Sequence, residues 1–241
     1  LAYSKTILAV IPARAGSKGI PNKNIRLLGS YPLIDYTISR AKESELITTF
    51  MVSTDSESYR QLAIDRGVNV PFLRPDTLAT DATGSVEVLQ HAVSFLEKEG
   101  QSFDIVCLLQ PTSPFRLPGF IDRCISKFFE DDADSLFSSK AVPDHYNPHW
   151  VFEEVNGKLI NACGDKSLIS RRQLLPPTYI RDGSVYLVKE DILMNQNSLY
   201  GDKIAHFPSP EGWYVNLDTE CDWKLAESMC ENYLSKWPLF E

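Results

Sequence analysis

The chain has 241 residues, 43% apolar and 23% charged, which excludes a disordered or fibrous protein and is enough for one large core. Its formal charge of −8 argues against nucleic acid as a partner, which needs a basic face, and no apolar run reaches the roughly 18–20 residues that span a membrane. Cysteines at 107, 124, 163, 221 and 230 are odd in number and form no C-x-x-C pair, so neither a zinc site nor a disulfide framework is expected. Residues 6–11 (TILAVI), closed by Pro12, predict a buried strand. Helical spacing over 33–41 leads to a buried strand at 50–54, a helix at 56–66 and a short strand at 68–73. Val86, Leu89, Val93 and Leu96 repeat at helical spacing, 104–109 (DIVCLL) is the next buried strand, and 119–129 is helical. This alternation predicts an α/β fold with a mostly parallel sheet and helices on both faces. After about residue 135 the rhythm shortens, with strands at 135–139, 150–153 and 158–160 around turns such as Asn156-Gly157. We read 142–180 as an inserted flap in a single domain over 1–241. A strand at 184–188 follows, and the chain closes in a helix over 219–237 with Trp223, Ala226, Cys230, Tyr233 and Trp237 on one face. The opening residues carry no leader pattern and the thiols suit a reducing compartment, so a cytoplasmic location is expected.

Charge is distributed unevenly. Lys5, Arg14, Lys18, Lys23 and Arg26 all precede the first acidic residue, Asp35, so residues 1–34 carry +5 and the remainder −13. Four of these cations follow the first strand, in 12–26 (PARAGSKGIPNKNIR). Open parallel sheets bind ligands at the carboxyl ends of their strands. A cationic loop there, with Gly16 and Gly19 allowing close backbone approach, suits a polyphosphate; the alternative is a solvated basic loop. The loop contains neither G-x-x-x-x-G-K-[ST] nor G-x-G-x-x-G, which excludes a P-loop and a dinucleotide fingerprint, and Pro21 limits a helix starting within it.

The run Arg14-Ala15-Gly16-Ser17-Lys18-Gly19-Ile20-Pro21-Asn22-Lys23-Asn24 resembles the N-terminal signature of the N-acylneuraminate cytidylyltransferases. Further segments match in order: Leu73-Arg74-Pro75 with Asp81 and Ser85, Leu108-Leu109-Gln110-Pro111-Thr112-Ser113-Pro114, Arg171-Arg172-Gln173, and Asn216-Leu217-Asp218-Thr219 followed by Asp222. The resemblance runs over nearly the whole chain. It implies the Rossmann-like fold of the nucleotide-diphospho-sugar transferases and a homodimer in which each 142–180 flap reaches toward the partner's active site. It also implies a reaction in which an acidic nine-carbon 2-keto sugar of the sialic type takes CMP from CTP and pyrophosphate leaves. By resemblance Arg14 and Lys18 are the catalytic cations on the triphosphate, with Ala13, Gly16, Ser17, Lys23 and Asn24 beside them. Arg74 and Ser85 contact the nucleotide. Gln110, Arg171, Arg172 and Asp182 face the sugar. Physical chemistry agrees about the cations: charge grows on a leaving pyrophosphate, an arginine grips phosphate oxygens in pairs, and a lysine acts as a point charge. The resemblance further implies Mg²⁺ held by Asp218, the third catalytic residue, with Asn216, since residues two apart in an extended segment share a face.

Some positions depart from the family pattern. Asn216 stands where the family has an aspartate. Asp222 has a second reading, because Thr219 with Asp222 forms a capping box. Asp182 replaces an asparagine common in the sialic acid enzymes. His145 and His149 fall where a substrate-facing lysine is frequent and are read as flap structure. An altered pocket leaves room for a legionaminic-type diamino acid. No general base stands out, so metal-assisted deprotonation of the sugar hydroxyl is expected. Three alternatives remain: a cytidylyltransferase for 3-deoxy-octulosonate, disfavoured by Ser17-Lys18-Gly19 and Lys23-Asn24; a non-catalytic protein binding CTP or a sugar nucleotide, which Asn216 would permit; and a nicotinamide-dependent reductase, which lacks its fingerprint.

Overall fold

All five side chains from Ile7 to Ile11 are buried, as an unbroken apolar run requires of a strand covered on both faces. This strand, β1 (Ile7–Pro12), is followed by the short ribbon β2 (Leu27–Leu28) and β3 (Tyr31–Pro32), then α1 (Leu33–Lys42), β4 (Thr49–Ser53), α2 (Glu57–Asp65), α3 (Ser85–Lys98), β5 (Ile105–Leu108) and α4 (Phe120–Glu130). Next come β6 (Ser135–Ala141), β7 (Phe152–Val155), β8 (Lys158–Asn161), β9 (Tyr179–Lys189), α5 (Glu190–Gln196), β10 (Ile204–Pro208) and α6 (Glu220–Lys236). The computed structural model describes residues 5–240. The chain divides into a large unit, running up to Ser138 and resuming at Asp182, and a small unit, Ser139–Arg181.

The main sheet has the order β10-β6-β9-β5-β1-β4. β1 pairs in parallel with β4 on one side and β5 on the other, so the winding changes direction at β1. The carboxyl ends of β1 and β5 therefore flank a crevice, the usual ligand position in such a sheet. Alternation along β1 divides the core. Ile7, Ala9 and Ile11 pack with residues of α1, α2 and α4, whereas Leu8 and Val10 pack with α3 and α5. A third cluster seats Trp223, Ala226, Cys230 and Tyr233 of α6 against Leu28 and Tyr36, with Trp237 half-buried at its edge.

The sheet is mostly parallel, but β9 runs antiparallel to β5 as the chain returns from the small unit. The strand expected at 68–73 does not form. Val68, Val70 and Phe72 are buried in alternation, yet among the described residues a single bridge, Met51 to Asn69, joins the segment to the sheet. Pro71 and Pro75 have no N–H to donate and end the ladder there. α5, β10 and the β2–β3 ribbon escape the sequence reading because each is too short to establish a period. Among the described residues no helix is long and apolar enough to cross a membrane.

The N-terminus of α6 carries a reciprocal cap. Thr219 Oγ1 accepts the Asp222 N–H at 3.3 Å, and the Asp222 carboxylate accepts the Thr219 N–H at 2.7 Å. Asp222 thus serves the helix end, one of its two sequence readings. Thr219→Ala is expected to cost about 1 kcal/mol. That corresponds to a fall of about 2–4 °C in the melting midpoint; an unchanged midpoint would mean the cap is redundant.

In the small unit β7 and β8 form an antiparallel hairpin whose turn, Asn156 at φ 52° and Gly157 at φ 74°, has the left-handed pair that matches strand twist. Asn147, only 2% exposed, holds the unit together: its amide donates to the Pro176 carbonyl at 3.0 Å and accepts the His149 N–H at 3.1 Å. No apolar side chain of this unit is buried among the described residues, and Leu159 and Leu174 are 69% and 65% exposed.

Candidate active site

Past Pro12 the loop is pinned at several points. The Ala13 N–H donates to the Ser53 carbonyl at 2.9 Å, and the Ala15 N–H to the Asp55 carboxylate at 3.0 Å. The Asn24 amide reaches back to the Arg14 carbonyl at 3.1 Å. Gly19 has no space for a side chain, because a Cβ would strike the Asp218 carbonyl, whereas Gly16 borders open space. The glycine at 19 therefore lets the loop close onto the segment that precedes α6.

Together these elements enclose a cavity of about 310 Å³. The loop after β1 contributes Arg14, Ser17, Lys18, Lys23 and Asn24 to its wall. Gln110, Pro111 and Thr112 come from the end of β5, Thr83, Gly84, Ser85 and Val88 from the start of α3, and Arg74 and Asp218 complete the lining. Gly84, the N-cap of α3, provides no side-chain cap, so first-turn N–H groups are available to an acceptor.

Electrostatics divides this wall into regions. Arg14 Nη2 lies 2.6 Å and Lys18 Nζ 2.5 Å from the Asp81 carboxylate, and the two cations hold that carboxyl below its usual range. A polyphosphate taking Arg14 and Lys18 must displace Asp81. Asp81→Asn is accordingly expected to tighten pyrophosphate binding by about fivefold, the scale of one exposed ion pair. Calorimetric titration measures this, and weaker or unchanged binding would place the phosphates elsewhere. Deeper in, Lys23 Nζ donates to the Leu217 carbonyl at 2.5 Å and stands 3.5 Å from Asp218. Burial lowers the Lys23 pKa, with Asp218 opposing the shift. Arg74, 4% exposed, donates from Nη2 to the Ser53 carbonyl at 3.1 Å, while its Nε–H is buried without a protein acceptor. A buried donor without a partner is costly, so an acceptor supplied by a ligand would find a prepared contact.

Asp218, with its side chain 65% exposed, is the one carboxylate on the cavity wall among the described residues. Asn216 Nδ2 lies 2.5 Å from its Oδ2, and Asn216 Oδ1 faces Gly183. Among the described residues no group of three or more His, Cys, Asp or Glu side chains gathers for a metal. One carboxylate and one amide beside cationic phosphate contacts suit Mg²⁺, which keeps water and phosphate oxygens and needs few protein ligands. For Asn216 to join Asp218 as a ligand its amide would turn Oδ1 inward.

The other expected site residues have different surroundings. Asp182 is 2% exposed and does not line the cavity: its carboxylate accepts Ser138 Oγ at 2.5 Å, the Ser184 N–H at 2.9 Å and the Ser209 hydroxyl. A buried carboxylate must be saturated in this way, and the sequence showed only its place beside Gly183. Ala13 is fully buried in the core, and Gly16 is absent from the cavity wall. Arg171 and Arg172 are exposed on the small unit, where Arg172 Nε lies 3.0 Å from Asp144. His149 Nδ1 lies 2.7 Å from Asp165 Oδ2 in the same unit, and His145 is exposed beside Tyr146. The sequence reading missed Asp55, which no local pattern marks. It also missed Thr83 and Gly84, which an uncapped start to the α3 repeat could have revealed.

A family model described as cytidylyltransferase matches residues 8–209. Post-translational flagellin modification protein B of Campylobacter coli is 33% identical over 223 residues, covering 92% of this chain and 93% of that protein. CMP-N,N'-diacetyllegionaminic acid synthase of Legionella pneumophila is 33% identical over 229 residues, covering 93% and 96%. N-acylneuraminate cytidylyltransferase of Streptococcus agalactiae is 32% identical over 218 residues, 89% of this chain but 51% of that enzyme. In fold the chain resembles CMP:2-keto-3-deoxy-manno-octonic acid synthetase complexed with CTP, at TM-score 0.70 and 17% identity, over 94% of this chain and 99% of that one.

Proposed function

The chain belongs to the cytidylyltransferase family and is a nucleotidyltransferase, and on that premise we propose that it joins CTP to a sialic-acid-like nine-carbon 2-keto acid, forming the CMP-sugar and pyrophosphate. The observation that carries this reading is the pairing of Arg14 and Lys18 on one displaceable carboxylate, at a cavity opening where the winding of the sheet reverses. The relatives named for legionaminic and neuraminic acids favour a nine-carbon acid sugar over other acceptors.

The anomeric hydroxyl oxygen of the sugar bonds to the α-phosphorus, the bond from that phosphorus to the bridging oxygen breaks, and the hydroxyl proton is released. Arg14 and Lys18 hold the phosphate tail and take up the charge that grows on the leaving pyrophosphate. Lys23, anchored between Leu217 and Asp218, adds a third cation beside them. The free Arg74 Nε–H and the first turn of α3 offer donors to the nucleotide, and Gln110 at the end of β5 orients the sugar. Arg171 and Arg172 are assigned to the sugar carboxylate, a match of charge and fork geometry. Asp218 and Asn216 are the residues that would hold Mg²⁺, whose chemistry there is to neutralise phosphate charge and acidify a bound hydroxyl.

We assign the exposed apolar side chains of the small unit, which has no buried apolar residue of its own, to contact with a second copy of the chain in a homodimer. Five free cysteines suit the reducing cytoplasm. Pyrophosphate release from CTP and Mg²⁺, against a panel of N-acetylneuraminate, a di-N-acetylated nine-carbon acid and 3-deoxy-octulosonate, tests the reaction. Release with a nine-carbon acid supports it. Release with octulosonate alone moves the acceptor to the eight-carbon class, and CTP binding without release would make this a binding protein.

A further inference from the structure

Beyond Leu108 the β5–β9 ladder opens. The register pairs Leu108 with Tyr186, so its continuation would set Leu109 opposite Val185 and Gln110 opposite Ser184. The Leu109 N–H donates to Val10 on β1 at 3.0 Å, on the other side of the strand, and the pairing with β9 ends at Leu108. Arg116, 2% exposed, fills the opening. Its Nη2 donates to the Gln110 carbonyl at 2.6 Å, its Nε to the Ser184 carbonyl at 2.8 Å, and its Nη1 to Thr37 Oγ1 at 2.9 Å. One guanidinium thus bridges the carbonyls of Gln110 and Ser184, just past the end of the ladder.

Of the groups held in this way, Gln110 lines the cavity. Gly183, at φ 84°, lies between Asp182 and Ser184, and a Cβ there would stand 2.9 Å from Ser113 Oγ and 3.2 Å from Gln110 Oε1. The Gln110 side chain therefore rests over the bare Cα of Gly183, and its position depends on where the two strand ends are fixed. Ser113 Oγ donates to the Asp182 carbonyl at 3.0 Å and fixes the same corner from the other side. A fully buried guanidinium is an expensive way to hold two carbonyls, since desolvating a charge costs several kcal/mol. Burial pushes the Arg116 pKa down to about 10, with Asp182 as the main opposing charge. Its planar fork supplies what a lysine lacks, three donors at fixed angles.

We propose that Arg116 is a positioning residue for the sugar: by bridging the carbonyls of Gln110 and Ser184 it fixes the Gln110 amide over Gly183, and it does not act on the nucleotide. The proposal rests on the reading of Gln110 as a sugar contact. Arg116→Lys keeps the charge and loses the fork. It is expected to raise the KM for the sugar about tenfold while CTP affinity stays within about twofold. Thr37→Val removes one of the three acceptors without touching the cavity wall and is expected to move the sugar KM in the same direction, by about threefold. A merely structural role would lower the melting midpoint and affect both substrates alike. Equal changes for CTP and sugar, or an unchanged sugar KM in a folded variant, overturn the proposal, and Thr37→Val decides it if Arg116→Lys does not fold. Amide hydrogen exchange gives a readout independent of turnover: Arg116→Lys is expected to speed exchange at 110–113 and 182–184 but not in the loop 13–26. Unchanged exchange at those strand ends also overturns it. A wild-type protein that releases no pyrophosphate with any acid of the panel would sink the substrate reading instead, with the exchange data still deciding whether Arg116 holds the corner.

Discussion

Lys18→Ala is expected to slow pyrophosphate release by about 100- to 1,000-fold, the scale set by removing one preorganised donor from a developing anion. The melting midpoint should barely move. The Lys18 side chain is 82% exposed and pairs with Asp81, which retains Arg14 as a partner. An exposed pair of this kind contributes little to stability. The loss should appear mainly in kcat, because charge on the leaving pyrophosphate is larger in the transition state than in bound CTP. Steady-state kinetics with CTP varied at saturating sugar, with a thermal melt of the same sample, measures both quantities. A wild-type rate would mean that the phosphate tail lies away from this loop.

Asp218→Asn should be at least as damaging, with turnover falling about a thousandfold, in keeping with a metal contribution of several kcal/mol. The substitution preserves volume, and the Asp218 carbonyl packed against Gly19 is unaffected, so the loop can still close. What disappears is the carboxylate that Asp218 places on the cavity wall. Asn216 cannot replace it, since a neutral amide neither attracts a divalent cation strongly nor balances Lys23. Residual activity should therefore need more Mg²⁺. The pH dependence should shift as well. Burial already holds the Lys23 pKa below the usual lysine value, and Asp218 opposes that shift. Without the carboxylate the pKa falls further, so Lys23 loses its proton, and with it phosphate affinity, at a lower pH than in the wild type. A variant with wild-type turnover and wild-type Mg²⁺ dependence would remove Asp218 from the metal site.

Arg14 and Lys18 were visible in the sequence because a polyphosphate site needs an excess of one charge in a short stretch. Five cations before the first acid at Asp35 mark that excess without any structure. The strands that carry the loop were visible for a similar reason. A strand buried on both faces must be apolar at every position, as at 7–11, and this is a property of neighbouring residues. The segment 68–73 shows the limit of the rule. Its alternation correctly gives burial of Val68, Val70 and Phe72, but a ladder also needs N–H donors, and Pro71 has none.

Asp182 shows what a linear reading leaves undecided. It stands next to a glycine at the expected sugar-facing strand, yet its carboxylate is enclosed by serines at 138, 184 and 209. Arg116 is the converse case: the sequence analysis did not single it out, and it is among the most buried side chains of the described residues. The sequence alone determined the fold class, the family and the charge of the loop after β1, because periodicity, ordered motifs and local charge excess are written in nearby residues. Tertiary structure alone decided the antiparallel return of β9, the pairing of Asp81 with both loop cations and the burial of Asp182 and Arg116. Those outcomes depend on which groups lose water together and must satisfy one another across 40 to 70 residues of chain, at separations where no local pattern constrains the partner.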